Sequence, residues 1–159
     1  MKELILLRHA HAEPTAPDGV DLDRPLSPEG LAEAESAGAW LKEQGLVPDR
    51  VLCSPARRTR ETLEAVLGVI GYVDQRLEEA IYEATPGTLV GLADAHRECE
   101  RVLLVGHNPG LERLAALLHS GQSGEYRGMP PGSVAVLTFN DDDAPLEPGN
   151  ARLAAFWWP

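Results

Sequence analysis

The chain alternates between short aliphatic runs and longer segments in which apolar residues recur every three or four positions. Uninterrupted aliphatic runs of this length are typical of strands that are buried on both faces of a sheet. They predict strands at Lys2–Leu7, Arg50–Cys53 and Arg101–Val105, and we expect a further short strand around Leu77–Ile81. The helical spacing lies between these runs, so the pattern predicts strands that alternate with helices.

The segments with helical spacing predict four helices. Ser27-Pro28 is a typical helix start, because serine caps free N–H groups and proline suits the first helical position, and this helix should end near Gly45. The same signal at Ser54-Pro55 predicts a second helix, and a third is expected at Thr88–Cys99. The buried stripes of the first, second and fourth helices are expected at Leu31, Ala34, Gly38 and Leu41, at Leu63, Val66, Leu67 and Ile70, and at Leu111, Leu114, Ala115 and Leu118.

The end of the chain has a different pattern. Two strand-like runs, Val134–Phe139 and Ala151–Trp157, are joined by an acidic segment with proline and glycine, which predicts an antiparallel hairpin. Strands that alternate with helices predict a mostly parallel sheet covered on both faces, with ligands bound beyond the carboxyl ends of the strands. We therefore expect a single three-layer α/β/α domain over residues 1–159, with an antiparallel C-terminal hairpin.

The composition and net charge limit the kinds of partner that we expect for this chain. The chain has 159 residues, of which 43% are hydrophobic and 25% charged, as expected for one globular domain. Its formal net charge of −11 would repel a polyanion, so neither a nucleic acid nor an anionic membrane is expected as a partner. The aliphatic run Leu4–Leu7 is too short for a signal peptide or a membrane span, which favours a cytoplasmic protein. Cys53 and Cys99 lack metal-ligand spacing and are expected to be free thiols.

Two further patterns resemble functional motifs but lack a required residue. Asp141-Asp142-Asp143 has neither the glycine nor the terminal glutamate of a calcium loop, so we expect a solvated turn. Gly121-Gln122-Ser123-Gly124 misses the nucleophile elbow of serine hydrolases, because Glu125 stands where that motif has its second glycine. The sequence therefore offers neither of these two sites.

Reactive side chains follow directly after three of the predicted strands. His9 comes after the first strand, His107 after Arg101–Val105, and an arginine cluster opens the second helix. Taken singly, a strand-end histidine is more often structural, and arginines in a first turn are more often solvated. The carboxyl ends of parallel strands meet at one edge of the sheet, so the convergence of all three indicates a functional site. The arginine cluster comprises Arg57, Arg58 and Arg60.

Four ordered motifs carry a family resemblance. In chain order they are Leu7-Arg8-His9-Ala10, Arg24-Pro25-Leu26-Ser27-x-x-Gly30, Ser54-Pro55-x-x-Arg58-x-x-x-Thr62 and Gly106-His107-Asn108-Pro109-Gly110. With this order and strand context, residues 4 to about 118 resemble the histidine phosphatase superfamily, also called phosphoglycerate mutase-like. The small size is most similar to the compact SixA-type phosphohistidine phosphatase branch. The resemblance implies the phosphoglycerate mutase-like fold and phosphatase activity.

The resemblance also implies roles for individual residues. His9 would attack phosphorus as a neutral imidazole and carry the phosphoryl group, while a local acceptor holds its other nitrogen. Arg8, Arg58 and His107 would bind the phosphoryl oxygens, since phosphoryl transfer chiefly needs charge neutralisation and alignment. Arg57 is the rival to Arg58, but the Ser-Pro-x-x-Arg spacing selects Arg58. The resemblance implies no metal and no other cofactor.

The proton donor for the leaving group is the least defined role. The family commonly uses a glutamate after the third strand, and Glu83 is the best positional match, with His11 as the alternative. A phosphohistidine substrate has less need of an acid, because an imidazole that already carries a proton leaves more readily than an alkoxide.

The sequence departs from the family pattern at two positions. Ala10 stands where glycine is common and adds a methyl group beside the nucleophile, and Glu61 replaces the usual glutamine before Thr62, adding negative charge near the phosphate. We expect a metal-independent phosphatase that works through a phosphohistidine on His9 and acts on a phosphohistidine-bearing protein, such as a histidine phosphotransfer protein. The alternatives are a phosphatase of small phosphometabolites and, given these departures, a catalytically weak phosphate-binding regulatory module. The sequence does not define the oligomeric state.

Overall fold

A computed structural model describes residues 1–121, 128–141 and 145–159 of the chain. Within these residues the strands are β1 Glu3–Arg8, β2 Arg50–Cys53, β3 Asp74–Leu77, β4 Arg101–Gly106, β5 Val134–Phe139 and β6 Ala151–Trp157. The helices are α1 Pro28–Glu43, α2 Arg57–Ile70, α3 Pro86–Asp94 and α4 Gly110–Ser120. Two short 3₁₀ helices, Asp21–Asp23 and Glu79–Ile81, lie in the connections.

The strands form one sheet in the order β3-β2-β4-β1-β5-β6. The first four of these strands are parallel, and β5 and β6 form an antiparallel hairpin beside β1. The expected mostly parallel sheet with a C-terminal hairpin is therefore confirmed. Arg8 at the end of β1 pairs with Gly106 at the end of β4. This register brings the next residues of both strands, His9 and His107, to the same place at the carboxyl edge.

Helices cover both faces of the sheet, as the three-layer prediction requires. Alternate residues of β1 belong to different hydrophobic cores: Ile5 and Leu7 pack with α1 and α2, whereas Leu4 and Leu6 pack with α3 and α4. Because every one of these side chains is fully buried, β1 is the centre of the domain. A strand that is buried on both faces gives its terminal residues a rigid support.

Two predicted segments are wrong in their bounds. The third strand is β3, not Leu77–Ile81, and the apolar residues of that predicted segment reach into the 3₁₀ helix Glu79–Ile81. β3 is an edge strand with mostly exposed side chains, so it carries no apolar run. The third helix ends at Asp94 rather than Cys99. Beyond it, turn hydrogen bonds such as that from the Cys99 N–H to the His96 carbonyl preserve a helix-like spacing without an α-helix.

Two predictions about helix residues are also wrong. Ser54 does not cap α2, which begins at Arg57 after Ala56; the Ser54 hydroxyl instead contacts His107. Leu31 was expected in the buried stripe of α1, but 47% of it is exposed. It lies in the first turn of the helix, at the edge of the face that Ala34 buries.

The remaining predictions concern the two cysteines, the two motif-like segments and membrane-spanning helices. Cys53 and Cys99 are free and buried, as expected. Asp142 and Asp143 of the acidic turn, and Gln122 to Glu125 of the elbow-like pattern, lie outside the described residues. Across the described ranges, no helix combines the length and apolar character that a membrane crossing requires.

Candidate active site

Two histidines meet at the carboxyl edge of the sheet. The ring centroids of His9 and His107 are 5.3 Å apart, and the rings are tilted by 56°. This proximity follows directly from the pairing of Arg8 with Gly106, because each histidine is the next residue along its strand. The prediction that the strand ends converge is therefore confirmed by the sheet.

His9 is held through one ring nitrogen. Its Nδ1 lies 2.8 Å from the carbonyl oxygen of Ala10, and because a carbonyl can only accept, Nδ1 carries the proton. Burial is the largest cause that lowers the His9 pKa to about 4, and the charges of Arg58 and Arg8 contribute to the same shift. At neutral pH the ring is therefore uncharged and its Nε2 keeps a lone pair, which is the form a nucleophile needs.

His107 is held through its opposite ring nitrogen. Its Nε2 lies 2.8 Å from the hydroxyl oxygen of Ser54, which is itself fully buried. The Ala56 N–H donates to the same oxygen, and we assign the Ser54 hydroxyl as the donor to Nε2. Burial lowers the His107 pKa to about 3, with His9 as the next cause. The neutral ring then carries its proton on Nδ1, which has no hydrogen-bond partner among the described residues.

Arg58 enters the same centre from the first turn of α2. It is only 7% exposed, and its Nη1 and Nη2 donate to the carbonyl and the carboxylate of Asp21 at 2.9 and 3.1 Å. The hydroxyl of Tyr82 donates to the same carboxylate oxygen, and the guanidinium carbon of Arg58 lies 5.9 Å from the centroid of the Tyr82 ring. Asp21 thus anchors the far end of the arginine, and the buried Nε has no partner within the described part of the chain.

The neighbouring arginines point elsewhere. The side chain of Arg57 is 41% exposed and pairs with Glu61, and Arg60 donates from Nε to the carbonyl of Pro55 at the surface. Consecutive helical residues point in different directions, so only one of the cluster can face the histidines. The structure places Arg58 there, in the register that the motif spacing favours.

Arg8 completes the set of cations around the two histidines. Its Nη1 donates to the carbonyl of Met129 at 2.8 Å, its pKa is lowered by burial, and its charge lowers the pKa of both histidines. Its Nε, like that of Arg58, is buried without a partner among the described residues.

The site therefore contains buried donors that the described residues do not satisfy. They are the Nε–H groups of Arg8 and Arg58 and the Nδ1–H of His107. Leaving a buried donor unpaired costs about 1–3 kcal/mol, so such groups normally indicate a ligand or a function. Guanidinium and imidazole N–H groups around an unprotonated nitrogen are suited to a tetrahedral oxyanion placed for attack.

Family comparison agrees with this chemistry. Residues 4–101 match the histidine phosphatase superfamily, branch 1. The chain belongs to this superfamily. The superfamily match, together with the similarity to SixA phosphohistidine phosphatases over most of the chain, shows that the chain is a phosphatase.

The relatives of this histidine phosphatase cover most of its length. The phosphohistidine phosphatase SixA of Escherichia coli is 32% identical over 76% of each chain. An uncharacterised protein of Mycobacterium tuberculosis is 38% identical over 94% of this chain and 98% of its own. The solved structure of the protein histidine phosphatase SixA complexed with tungstate has a TM-score of 0.84 and 26% identity, over 99% of this chain and 97% of the other.

The two departures from the family pattern are accommodated locally. Ala10 is fully buried, and its N–H donates to the hydroxyl of Thr62 at 3.1 Å. Both oxygens of Glu61 are engaged: Oε1 accepts the Leu26 N–H at 2.8 Å and Oε2 pairs with Arg57 at 3.2 Å. The negative charge at Glu61 is thus directed to Arg57 rather than to the centre that Arg58 enters.

The two candidate proton donors lie in different places. Glu83 is exposed at the rim of a cavity of about 280 Å³, which His107 and Tyr82 also line. The His11 ring is exposed and its Nδ1 is bound to the Ser27 hydroxyl at 2.7 Å, at the start of α1. Glu83 therefore shares a cavity with one of the central histidines, whereas His11 is held at the start of a helix.

Three residues contact the site residues in ways that the sequence analysis does not predict. Asp21 joins Arg58 to Tyr82, and it also pairs with Arg24 at 3.0 Å. Ser54 was interpreted as a helix cap. Tyr82 precedes Glu83 and forms an edge contact with the His107 ring, at a centroid distance of 5.6 Å. Asp21 and Tyr82 lie in or beside 3₁₀ helices, where no periodic pattern indicates a role. The only signal in the sequence is the negative charge of Asp21, which could have indicated a partner for an arginine.

Metal ligation is not apparent in this part of the molecule. Among the described residues, no group of three or more histidine, cysteine, aspartate or glutamate side chains could hold a metal ion. The centre of this histidine phosphatase holds the positive charges of Arg8 and Arg58, with the carboxylate of Asp21 bound to Arg58, and its unpaired N–H donors suit an anion.

Proposed function

We propose that this histidine phosphatase removes the phosphoryl group from phosphohistidine on a protein, through a phosphohistidine formed on its own His9. One observation carries the proposal: the neutral His9 ring is protonated on the nitrogen that Ala10 holds, and its other nitrogen, without a hydrogen-bond partner in the described part of the chain, lies in the field of Arg8 and Arg58. The similarity to SixA of Escherichia coli, a phosphohistidine phosphatase, supports the choice of substrate.

The first step transfers the phosphoryl group to the enzyme. The lone pair on Nε2 of His9 forms a bond to phosphorus, and the bond from phosphorus to the substrate imidazole breaks. Nδ1 of His9 keeps its proton, and the Ala10 carbonyl stabilises the positive charge that develops on the ring. Arg8, Arg58 and His107 donate hydrogen bonds to the phosphoryl oxygens as the charge spreads over them.

The second step returns His9 to its starting form. A water molecule attacks phosphorus, the bond from phosphorus to Nε2 of His9 breaks, and orthophosphate leaves with the proton that the water gives up. The arginines again neutralise the phosphoryl oxygens, so both steps use the same cations. A tetrahedral oxyanion of similar size, tungstate, is present in the SixA complex, which supports oxyanion binding at a site of this type.

The leaving group decides how much acid catalysis the site must supply. A phosphohistidine whose second ring nitrogen is protonated leaves as neutral imidazole, whereas an alkyl ester must leave as an alkoxide or be protonated. Glu83, the candidate acid, is exposed at the rim rather than buried among the histidines. Because the structure does not bury this carboxyl group among the histidines, we favour the substrate whose leaving group has less need of an acid.

Neither step uses a metal ion. Arg8 and Arg58 supply fixed positive charge, and each has a buried donor without a partner among the described residues. These groups provide the charge neutralisation that a divalent cation provides in many other phosphoryl-transfer enzymes.

The test compares two substrates with matched enzymes. A histidine phosphotransfer domain phosphorylated on histidine and an activated aryl phosphate are each offered to the wild type and His9→Ala, in the presence of a chelator. We expect His9-dependent turnover with a higher kcat/KM for the phosphohistidine protein. Activity on the aryl ester alone would select a small phosphometabolite as substrate, and phosphate binding without turnover would select the regulatory module.

The acid is tested on a third substrate. Glu83→Gln should reduce hydrolysis of an alkyl phosphate more than hydrolysis of the aryl phosphate, whose leaving group needs little protonation, and should leave the phosphohistidine protein nearly unaffected. His11→Asn serves as the matched variant of the alternative donor. Equal losses for Glu83→Gln on all three substrates would remove Glu83 from the acid role.

A further inference from the structure

A groove lies beside the catalytic centre, between the first halves of α1 and α2. Its volume is about 560 Å³, and its lining combines apolar side chains with the carboxylates of Glu61 and Glu64. Leu31 contributes to it and is 47% exposed, although its position in α1 was expected to be buried. Leu31 adds exposed apolar surface to a groove whose lining is itself partly apolar, and contiguous apolar surface of this kind marks interaction sites.

The groove is connected to the catalytic centre through its own lining residues. Leu26 donates its N–H to Glu61, and the next residue, Thr62, accepts the N–H of Ala10, which follows His9. Ser27, on the other side, holds the ring of His11, and His11 lies two residues after His9. A molecule whose phosphoryl group reaches His9 therefore passes close to this groove.

Exposed apolar side chains are concentrated at the same edge of the sheet. The described residues include seven large apolar side chains that are exposed: Val20, Leu22, Leu31, Val47, Tyr72, Leu77 and Trp158. Val20 and Leu22 flank Asp21, which binds Arg58, while Leu77 ends β3. Trp158 follows β6, which runs parallel to β1. Only Val47 and Tyr72 of these seven precede a strand and so lie at the amino edge.

The charge of the groove is negative and incompletely compensated. Both oxygens of Glu61 have partners, but Glu64 is exposed and has no hydrogen-bond or ion-pair partner in the described part of the chain. The formal net charge of −11 extends the negative field beyond the groove. A basic surface is therefore attracted and an acidic one is repelled.

We propose that this groove docks the protein that carries the phosphohistidine, by taking an apolar side chain against Leu31 and a lysine or arginine against Glu64. The inference rests on the proposed function and adds a substrate-recognition surface to it. A small phosphometabolite has no apolar side chain to place in the groove while its phosphoryl group lies at His9. A protein substrate does, and its binding would use apolar area that is otherwise exposed to water.

The first test separates docking from chemistry. Leu31→Glu places a charge in the groove on an exposed helical position, and kcat/KM is measured for the phosphohistidine phosphotransfer domain and for the aryl phosphate. We expect a loss of at least about tenfold for the protein substrate, as for a contact residue near the centre of an interface, with the aryl phosphate unchanged. Leu31→Met, which keeps an apolar side chain, should behave as the wild type.

The matched control changes an exposed apolar residue at the other edge. Val47 is 40% exposed and precedes β2, so Val47→Glu introduces the same charge far from the groove. It should leave both substrates unaffected. Equal losses for Leu31→Glu on the two substrates, or no loss on the protein substrate, would overturn the proposal.

A second pair of variants tests the charge. Glu64→Lys should lower kcat/KM for the protein substrate by about tenfold at low salt, and the loss should shrink as salt screens the interaction. Glu43→Lys reverses an exposed charge in the last turn of α1 and should have no such effect. An equal loss in both variants would mean that net charge alone, and not this groove, attracts the substrate.

The remaining outcomes are also distinguishable. If sedimentation shows a wild-type dimer that Leu31→Glu dissociates, while turnover of the protein substrate stays unchanged, the groove binds a second copy of the chain and the docking proposal is wrong. If the wild type does not hydrolyse the phosphohistidine protein at all, the proposed function fails first and the docking surface fails with it. Failure of docking alone appears only in the comparison of variants.

Discussion

His9 and His107 occupy equivalent places in the fold, yet their neighbours hold them by opposite nitrogens. Each is the residue directly after one of two paired strands, β1 and β4. A main-chain carbonyl takes the Nδ1 proton of His9, whereas a buried hydroxyl contacts Nε2 of His107. The first arrangement exposes a lone pair and the second leaves an N–H donor. The same residue at the same strand end therefore becomes an attacking group or a donor according to its first neighbour.

Replacing the two histidines one at a time should separate their roles most clearly. His9→Ala removes the attacking atom, and we expect turnover to fall by at least about 10⁴-fold. His107→Ala removes one donor to the phosphoryl oxygens and should cost about 10²- to 10³-fold. Rapid quenching at alkaline pH, where phosphohistidine is stable, should show a phosphoenzyme in His107→Ala and none in His9→Ala. Phosphoenzyme in His9→Ala would assign the attack to another residue.

The arginine pair tests whether the two histidines share one set of cations. Arg58 is buried and lowers the pKa of both rings, whereas Arg57 is half-exposed and pairs with Glu61. Arg58→Ala should reduce kcat/KM by about 10²-fold, and Arg57→Ala should stay within about threefold, since an exposed ion pair contributes little. Steady-state kinetics on the aryl phosphate measure both. A larger loss for Arg57→Ala would mean that α2 presents a different face to the site.

The ends of β1 and β4 could be predicted from the sequence because burial determines the hydrophobic pattern of a strand. A strand buried on both faces needs a continuous aliphatic run, so β1 and β4 were predicted to within one residue and their histidines with them. β3 is an exposed edge strand of sequence Asp-Gln-Arg-Leu, and nothing in its composition distinguishes it from a loop. Periodicity reports contact with a core, and this edge strand makes little such contact.

The residues that contact Arg58 and His107 were harder to predict from the sequence, for a related reason. Ser54-Pro55 has the form of a helix cap, and only the three-dimensional structure shows that the hydroxyl contacts a histidine 53 positions later. Asp21 lies 37 positions from Arg58, in a loop without periodicity. The motifs placed Arg58 and His107 at the site, but the contacts that hold each of them are made across the fold and leave no local signal.

Ser54 provides a smaller perturbation on the His107 side alone. Ser54→Ala removes the group that contacts Nε2 and leaves a buried ring nitrogen unpaired, so the ring loses its preferred proton position. We expect kcat to fall by about tenfold, because an unsatisfied buried polar group costs about 1–3 kcal/mol. Ser133→Ala is the matched control: this serine is also fully buried, but its hydroxyl has no hydrogen-bond partner among the described residues. Equal losses in the two variants would show that Ser54 acts through packing rather than through His107.

The smallest expected effect is the difference in pKa between the two rings. Burial is the largest cause in both, but His107 also has His9 as a neighbour, and the pKa values are about 4 for His9 and about 3 for His107. Nuclear magnetic resonance titration of the ring C–H signals, assigned with His9→Gln and His107→Gln, should place His9 above His107. Low protein concentration is needed, since the sequence pI is about 4.8. A His9 signal that titrates near the ordinary value of 6.5 would contradict the buried, neutral nucleophile.

The same two pKa values set the sign of a pH effect on stability. In the unfolded chain both histidines take up protons near the ordinary value of 6.5, whereas in the folded protein they remain neutral down to about 4 and 3. Between these limits the unfolded state binds more protons, so the free energy of unfolding falls as the pH drops below about 6.5. Urea unfolding followed by tryptophan fluorescence should show this slope in the wild type. The slope should be reduced in both His9→Gln and His107→Gln, because each variant removes one of the two groups; an unchanged slope in His9→Gln would show that this ring is not held neutral by the fold.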